Sequence, residues 1–308
     1  MEMNNILFTG GGGSGCELLQ RVTKEQLYFA DANLMRISPE ISSPFRLNIP
    51  YANSDSFADI LSELIIKYSI DYLIPCVDEE LDLIPHLSVP KTTNLLIPNS
   101  NFVKNFTDKL ASSLLLSNLG YGPKTYTDLN SIPNNHPLVI KPRFGRGSRG
   151  IFYTTNSSHV HYYLQLNDLA FSDIVVQDRI IGQEYTITVV SNEDGLLKCV
   201  YPLRVIEKKG ITISAEGSLD PILLDFCKSV HNSLAPNNIY NIQLVLSEHK
   251  LPQIFEINPR VSTTFCSVYG FCGGLLSRLL NTTFDNEILT KWPKVTLNRY
   301  WSNLLFIP

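Results

Sequence analysis

The sequence has 308 residues, 44% hydrophobic and 18% charged, enough apolar material for two or three compact units, which excludes a chain disordered throughout. A formal net charge of −4 argues against a protein built mainly on contacts with a nucleic-acid backbone. No apolar run approaches the ~20 residues of a membrane span, and the Met-Glu-Met-Asn-Asn start lacks the basic opening and long apolar stretch of a signal peptide, so a cytoplasmic location is expected.

Strand and helix alternate over the first hundred residues. Residues 5–9 read as a short strand, followed by a glycine run and an amphipathic helix near residues 16–22. Residues 27–31 read as the second strand. Across residues 56–68, Phe57, Ile60, Leu61, Leu64 and Ile65 recur at helical spacing. Residues 71–75 read as a buried strand ended by Pro75, residues 79–87 as a short helix and residues 93–97 as a further strand. This alternation implies a parallel sheet, expected to close near residue 100. A helix over 108–118 follows, stopped at Gly120. From Leu138 the character changes to short β-rich runs at 138–141, 150–153, 174–177, 185–191, 197–202, 240–247 and 253–258, interrupted by one helix at 221–233. That half is expected to be α+β with mainly antiparallel pairing. Six cysteines (Cys16, Cys76, Cys199, Cys227, Cys266 and Cys272) form no CxxC pair and have no histidine at zinc-finger spacing, so reduced thiols are expected.

Three segments carry chemistry. The run Gly10-Gly11-Gly12-Gly13-Ser14-Gly15 satisfies GxGxxG between a strand and a helix, and Asp31 ends the next strand, where a ribose-binding acid would stand. It reads either as a dinucleotide site, and so an NAD-dependent oxidoreductase, or as a tight strand-to-helix turn. The second segment, Lys141-Pro142-Arg143-Phe144-Gly145-Arg146-Gly147-Ser148-Arg149-Gly150, packs four cations and three glycines between two apolar strands. Glycines let backbone N–H groups approach a polyphosphate, and Lys141 at the strand end brings a point charge to it. A solvated hairpin tip rarely needs so many of both.

The third segment is a hairpin around the turn Glu248-His249-Lys250-Leu251. With that turn central, Gln243 lies opposite Glu256 and Asn241 opposite Asn258. Period-two alternation puts Gln243, Glu256 and Asn258 on one face, and Ile242, Leu244, Phe255 and Ile257 on the other. Three oxygen donors with one negative charge suit Mg²⁺ already held by nucleotide phosphates. An exposed hairpin face with scattered polar residues is the plainer alternative.

Taken in order, these landmarks resemble the ATP-grasp superfamily, and within it stand-alone proteins similar to one ATP-grasp half of the carbamoyl-phosphate synthase large subunit. The matching pieces are Asp108-Lys109 opening a helix, the loop from Lys141 to Gly150, Val175-Val176-Gln177-Asp178-Arg179-Ile180, Gly182-Gln183-Glu184-Tyr185, Gln243, and Glu256-Ile257-Asn258-Pro259-Arg260. Ile74-Pro75-Cys76-Val77-Asp78-Glu79-Glu80-Leu81 looks like the sheet-to-helix turn of the domain that precedes ATP-grasp in this group. The resemblance implies a Rossmann-like pre-ATP-grasp domain over residues 1–100 and an ATP-grasp domain over 101–308, with a small lid at about 138–180. It implies that Lys109 and Lys141 contact ATP phosphates, with Gly145, Gly147 and Ser148 in the cradle. Gln177, Asp178 and Ile180 would meet the adenine edge and Glu184 the ribose. Gln243, Glu256 and Asn258 would hold Mg²⁺ or Mn²⁺, and Arg260 would neutralise the transferring phosphoryl group. Arg204, Lys208 and Lys209 lie where such proteins place groups that meet the acyl phosphate or substrate carboxylate; for Lys208 and Lys209 a solvated strand-turn edge is the simpler reading.

The expected activity is an ATP- and Mg²⁺-dependent carboxylate–amine ligase that forms an amide through an acyl phosphate and releases ADP. Its partners would be small-molecule carboxylates and amines, with no nucleic acid and no membrane, and a homodimer is compatible. The alternatives are an ATP-binding regulatory or assembly protein without turnover and, remotely, the oxidoreductase. The resemblance favours a structural turn for the first glycine run, because the preceding domain of this group normally binds no dinucleotide.

Overall fold

The computed structural model describes residues 4–21, 23–145, 147, 149–271 and 295–299. Its first strand, β1 (Asn5–Thr9), carries Ile6, Leu7 and Phe8, all fully buried, as a strand covered on both faces requires. One helical turn, α1 (Gly11–Ser14), and a 3-10 turn at Cys16–Arg21 lead to β2 (Gln26–Asp31). The short β3 (Arg46–Asn48), α2 (Phe57–Lys67), β4 (Tyr72–Ile74) and β5 (Asn94–Leu95) complete the unit. The strands pair in parallel in the order β3-β2-β1-β4-β5. The chain winds outward in both directions from β1, so a crevice opens beyond the carboxyl ends of β1 and β4. The helix expected at 79–87 is instead two 3-10 turns, Asp78–Glu80 and Ile84–His86. Pro85 lacks the N–H that a continuous helix would need there.

Two helices, α3 (Ser100–Thr107) and α4 (Lys109–Asn118), meet at Asp108, which ends the first and caps the second by accepting from the N–H groups of Leu110 and Ala111. A four-stranded antiparallel sheet follows, built from β6 (Thr125–Tyr126), β7 (Leu138–Pro142), β8 (Phe152–Thr154) and β9 (Ile174–Asp178) in the order β6-β9-β7-β8. Helix α5 (Ser158–Asn167) covers it. Only Val160 of this helix is buried, so its apolar stripe is too thin to read from the sequence.

The largest sheet is antiparallel, with β10 (Gly182–Ser191), β11 (Leu197–Lys209), β12 (Ile211–Gly217), β13 (Ile239–Ser247), β14 (Pro252–Asn258) and β15 (Thr296–Asn298) in the order β14-β13-β10-β11-β12-β15. Helix α6 (Pro221–Leu234) packs on it, and α7 (Phe265–Phe271) follows the hairpin. One buried cluster runs from Phe8 and Phe29 of the first sheet through Phe102 and Phe106 to Tyr240 and Ile242 of the largest. The four-stranded sheet keeps its own cluster, including Leu138, Ile140, Val160 and Val176. A parallel sheet followed by an α+β half is therefore the observed architecture. Among the described residues no helix is long and apolar enough to cross a membrane. Five of the cysteines are free thiols, and Cys272 lies outside the described residues.

Candidate active site

The hairpin register pairs Gln243 with Glu256 and Asn241 with Asn258, as expected, although beside the turn it runs one residue off the expected register, with Leu246 facing Pro252 and Val245 facing Gln253. The ladder then shifts, so that Leu244 faces Ile254 and Phe255 is left as the extra residue of a bulge. Ile242, Leu244 and Ile257 are buried on the far face, but the bulge turns Phe255 away from them and onto the site side. Its carbonyl accepts a hydrogen bond from Lys141 Nζ at 2.8 Å, and its ring lies 5.3 Å beneath Lys208 Nζ.

Between the two antiparallel sheets lies a cavity of about 430 Å³. Lys109, Lys141, Gly145, Gly147 and Glu256 are among its lining residues. Lys141 is only 7% exposed, a correction to its expected position at an open strand end. Burial pulls its ammonium down to a pKa of about 8; Glu256 opposes the shift and Lys109 adds to it. Lys109 Nζ stands 3.6 Å from Glu256 and donates to the Gly145 carbonyl. Arg143 clamps the loop to the start of α4 through two bonds to Asp108, at 2.9 and 2.5 Å. Gly145 and Gly147 adopt φ of 126° and 70°, and a Cβ on either would meet open space, so dihedral freedom rather than crowding calls for glycine. Arg149 also lines the cavity, whereas Arg146 and Ser148 lie outside the described residues.

Gln177, Asp178, Ile180 and Glu184 line the same cavity as well. Gln177 is 1% exposed; its Nε2 donates to Thr125 Oγ1 at 3.0 Å, while its Oε1 has no donor. A buried acceptor left unpaired costs ~1–3 kcal/mol, which a ligand N–H would relieve. Asp178 Oδ1 is occupied by Tyr126 and His136, at 2.7 and 2.9 Å. The Arg179 guanidinium stacks 4.4 Å over the Tyr153 ring as part of the wall.

Lys208 also lines this cavity, contrary to the solvated edge expected of it. It forms an ion pair with Glu184 and donates to Gln243 Oε1 at 3.1 Å. The register shift after Val205 leaves Ile206 as an extra residue of β11, which breaks simple alternation and turns Lys208 inward, while the shift after Glu207 puts its extra residue, Ile213, on β12. Strand periodicity alone could not find it.

A second cavity, of about 280 Å³, shares Lys109, Phe144, Gly145 and Glu256 with the first. Its other walls include Asn258 and, just beyond the carboxyl end of β4, Asp78, Glu79 and Asp82. Arg260 lines neither cavity; its guanidinium grips Asp78 through two bonds of 2.7 Å. Arg204 lines neither and pairs with Glu216 at 2.8 Å near the surface. Gln243 reaches the first cavity through Lys208. Among the described residues no group of three His, Cys, Asp or Glu side chains stands ready to hold a metal alone.

The glycine run at the amino end packs on its own chain. Asp31 accepts from Gly12 N at 3.1 Å and from Asn33 N at 2.9 Å, so both carboxylate oxygens serve the turn. A Cβ on Gly12 would fall 2.5 Å from the Arg36 carbonyl carbon.

Comparison with known proteins adds the following. A family model described as an ATP-grasp domain matches residues 106–264. The chain is 33% identical over 78 residues to a D-alanine–D-alanine ligase of Petrotoga mobilis, covering 25% of this chain and 26% of that protein. It is 26% identical over 141 residues to the carbamoyl phosphate synthase large chain of Clostridium perfringens, covering 42% of this chain and 13% of that protein. The matched stretches thus span well under two thirds of either relative. Among solved structures, carboxyaminoimidazole ribonucleotide synthase from Aspergillus clavatus, complexed with ATP, superposes with a TM-score of 0.67 at 13% identity, over 93% of this chain and 79% of that one. That likeness shows the fold.

Proposed function

The chain belongs to the ATP-grasp family, and we propose that it is an ADP-forming carboxylate–amine ligase, with residues 1–100 as the preceding domain and 138–180 as a lid over the nucleotide. The observation that carries the reading is that two cavities meet at Lys109 and Glu256. A protein that only bound a nucleotide would need one cavity; transfer between two substrates needs a second opening beside the phosphate end.

The residues present fit ATP. Gln177 offers an unpaired buried acceptor to an adenine amino group. Glu184 offers a carboxylate to ribose hydroxyls, and Lys109 and Lys141 with the glycine backbone offer cations and N–H groups to phosphates. Gln243, Glu256 and Asn258 fit a divalent ion together with phosphate oxygens, because one carboxylate among three donors is too little charge to hold it alone. When bound there, Mg²⁺ would neutralise charge on the phosphate oxygens.

The chain's own part in the chemistry is positioning and charge neutralisation. Lys109, held between Glu256 and the Gly145 carbonyl, sits at the junction of the two cavities. Its ammonium is placed to stabilise negative charge as a phosphoryl group passes to a substrate carboxylate. The amine would then attack the acyl phosphate, giving an amide and phosphate. Asp78 occupies Arg260, so Arg260 fixes the wall of the acceptor cavity in this arrangement.

A screen of carboxylate and amine pairs for ADP release tests the reading, with chromatography of the nucleotide products. ADP that appears only with both substrates is expected. AMP as the dominant product would rule out the acyl-phosphate route. Tight ATP binding with no turnover for any pair would favour a regulatory or assembly role.

A further inference from the structure

Asn241 is fully buried on the face of the largest sheet that carries Gln243, Glu256 and Asn258, and it stands directly opposite Asn258 in the ladder of β13 with β14. Its Oδ1 accepts at 3.1 Å from the hydroxyl of Thr186, which is buried on the neighbouring strand β10. Its Nδ2 has no acceptor among the described residues. A buried donor left unpaired costs a fold ~1–3 kcal/mol and calls for a partner that this arrangement does not yet supply. Directly paired strand residues hold their Cβ atoms ~4.5–5.5 Å apart, so the end of one asparagine amide is within hydrogen-bond reach of the other.

The two ends of an asparagine amide are nearly equal in size and opposite in polarity. The oxygen ligates a cation and the NH2 group repels it. A carboxylate at position 258 would have no wrong end; an asparagine there needs its orientation fixed. The Nδ2 group of Asn241 can donate to Asn258 Oδ1, but against Asn258 Nδ2 it would stand donor to donor. Thr186 fixes Asn241 in turn, because its hydroxyl engages Oδ1 and leaves Nδ2 for Asn258.

We propose that Asn241 is a positioning residue for the cation site: anchored by Thr186, it donates from Nδ2 to Asn258 Oδ1 and so turns the oxygen end of that amide toward the divalent ion. The inference rests on the reading of Gln243, Glu256 and Asn258 as the metal set. Asn241 itself touches neither the metal nor a substrate.

The experiment titrates Mn²⁺ into the wild type and each variant carrying a non-hydrolysable ATP analogue, with protein in excess over the analogue. Free Mn²⁺ is read by electron paramagnetic resonance, and a melting curve accompanies each protein. Asn241→Leu keeps the volume and removes the donor, and the metal is expected to bind ~10- to 100-fold more weakly, the usual loss for a group that orients a metal ligand. Thr186→Val frees the Asn241 amide and should cost several-fold; it is the second variant should Asn241→Leu fail to fold. Thr188→Val removes another buried hydroxyl that has no partner, one that faces Asn241 on β10 but no metal ligand, and should leave metal affinity unchanged. In an Asn258→Asp background, where both ends of the side chain are oxygen, Asn241→Leu should cost little. An equal loss from Asn241→Leu in both backgrounds, or from Thr188→Val, would mean that Asn241 merely packs the sheet, and unchanged affinity in Asn241→Leu would remove it from the site; each result overturns the proposal while the metal set stands. A wild-type protein that holds Mn²⁺ no more tightly than the free analogue does refutes the metal set itself, and this inference with it.

Discussion

Replacing Lys141 with methionine should make the protein more stable and a poorer binder of ATP. Methionine keeps the length of a side chain that is only 7% exposed and removes its charge. Burial holds the Lys141 ammonium at a pKa of about 8, against the ordinary 10.5. At ~1.4 kcal/mol per tenfold in the proton equilibrium, carrying that charge at pH 7 costs the fold roughly 3 kcal/mol. The hydrogen bond to the Phe255 carbonyl offsets about 1–2 kcal/mol of this. Lys141→Met should therefore gain roughly 1–2 kcal/mol of stability at pH 7 by that balance. Losing one charge-assisted phosphate contact should weaken ATP binding by ~1.5–3 kcal/mol, about ten- to hundredfold.

The two effects also part with pH. The cost of the buried charge is fully present below pH about 8 and is relieved as the pH climbs from there toward 10.5, because the folded chain releases this proton before the unfolded chain does. Wild-type stability should gain on the variant through that window. Phosphate binding needs the protonated form, so wild-type ATP affinity should fall by about tenfold per pH unit above 8, and the variant should lack that fall. Calorimetry and denaturant melts from neutral pH upward measure both. A folded variant with wild-type ATP affinity, or a wild-type affinity that ignores pH, would refute the placing of phosphate on Lys141. A variant less stable at neutral pH would refute the cost assigned to its charge.

Glu256→Gln keeps the size and one oxygen of the side chain but removes its charge, so ATP affinity should change only a few-fold while ADP release falls by ~10²–10³. Near-normal turnover would remove Glu256 from the metal set. Asp31→Ala should leave ATP affinity unchanged and cost ~1–3 kcal/mol in a urea melt, because the N–H groups of Gly12 and Asn33 lose their acceptor. NAD binding in the micromolar range, weakened by this change, would revive the oxidoreductase. Asp78→Asn strips the carboxylate from the largely buried Arg260 and should destabilise the fold by ~3–5 kcal/mol. A melt that matches the wild type would show that this pair does not tie the first sheet to the hairpin.

Local rules in the sequence determined the outline of this protein. Residues 5–9 contain no charged side chain and emerge as the central strand, because a strand covered on both faces must be apolar throughout. The pairing of Gln243 with Glu256 expected from a central turn is observed, but it holds because the bulge at Phe255 makes up for a register that starts one residue off at the turn, with Leu246 facing Pro252. Contacts between segments distant in the chain decided the rest. Phe255 faces the site because a single extra residue interrupts its ladder, and no pattern along one strand announces a bulge that depends on its partner. Lys208 turned inward for the same reason, the extra residue Ile206 in its strand having broken the alternation that would have left it in solvent. Asp78 and Arg260, 182 positions apart, read as a helix start and a phosphate ligand, yet they bind each other. Their meeting depends on how the first sheet packs against the largest one, a matter of shared buried surface that neither local sequence encodes.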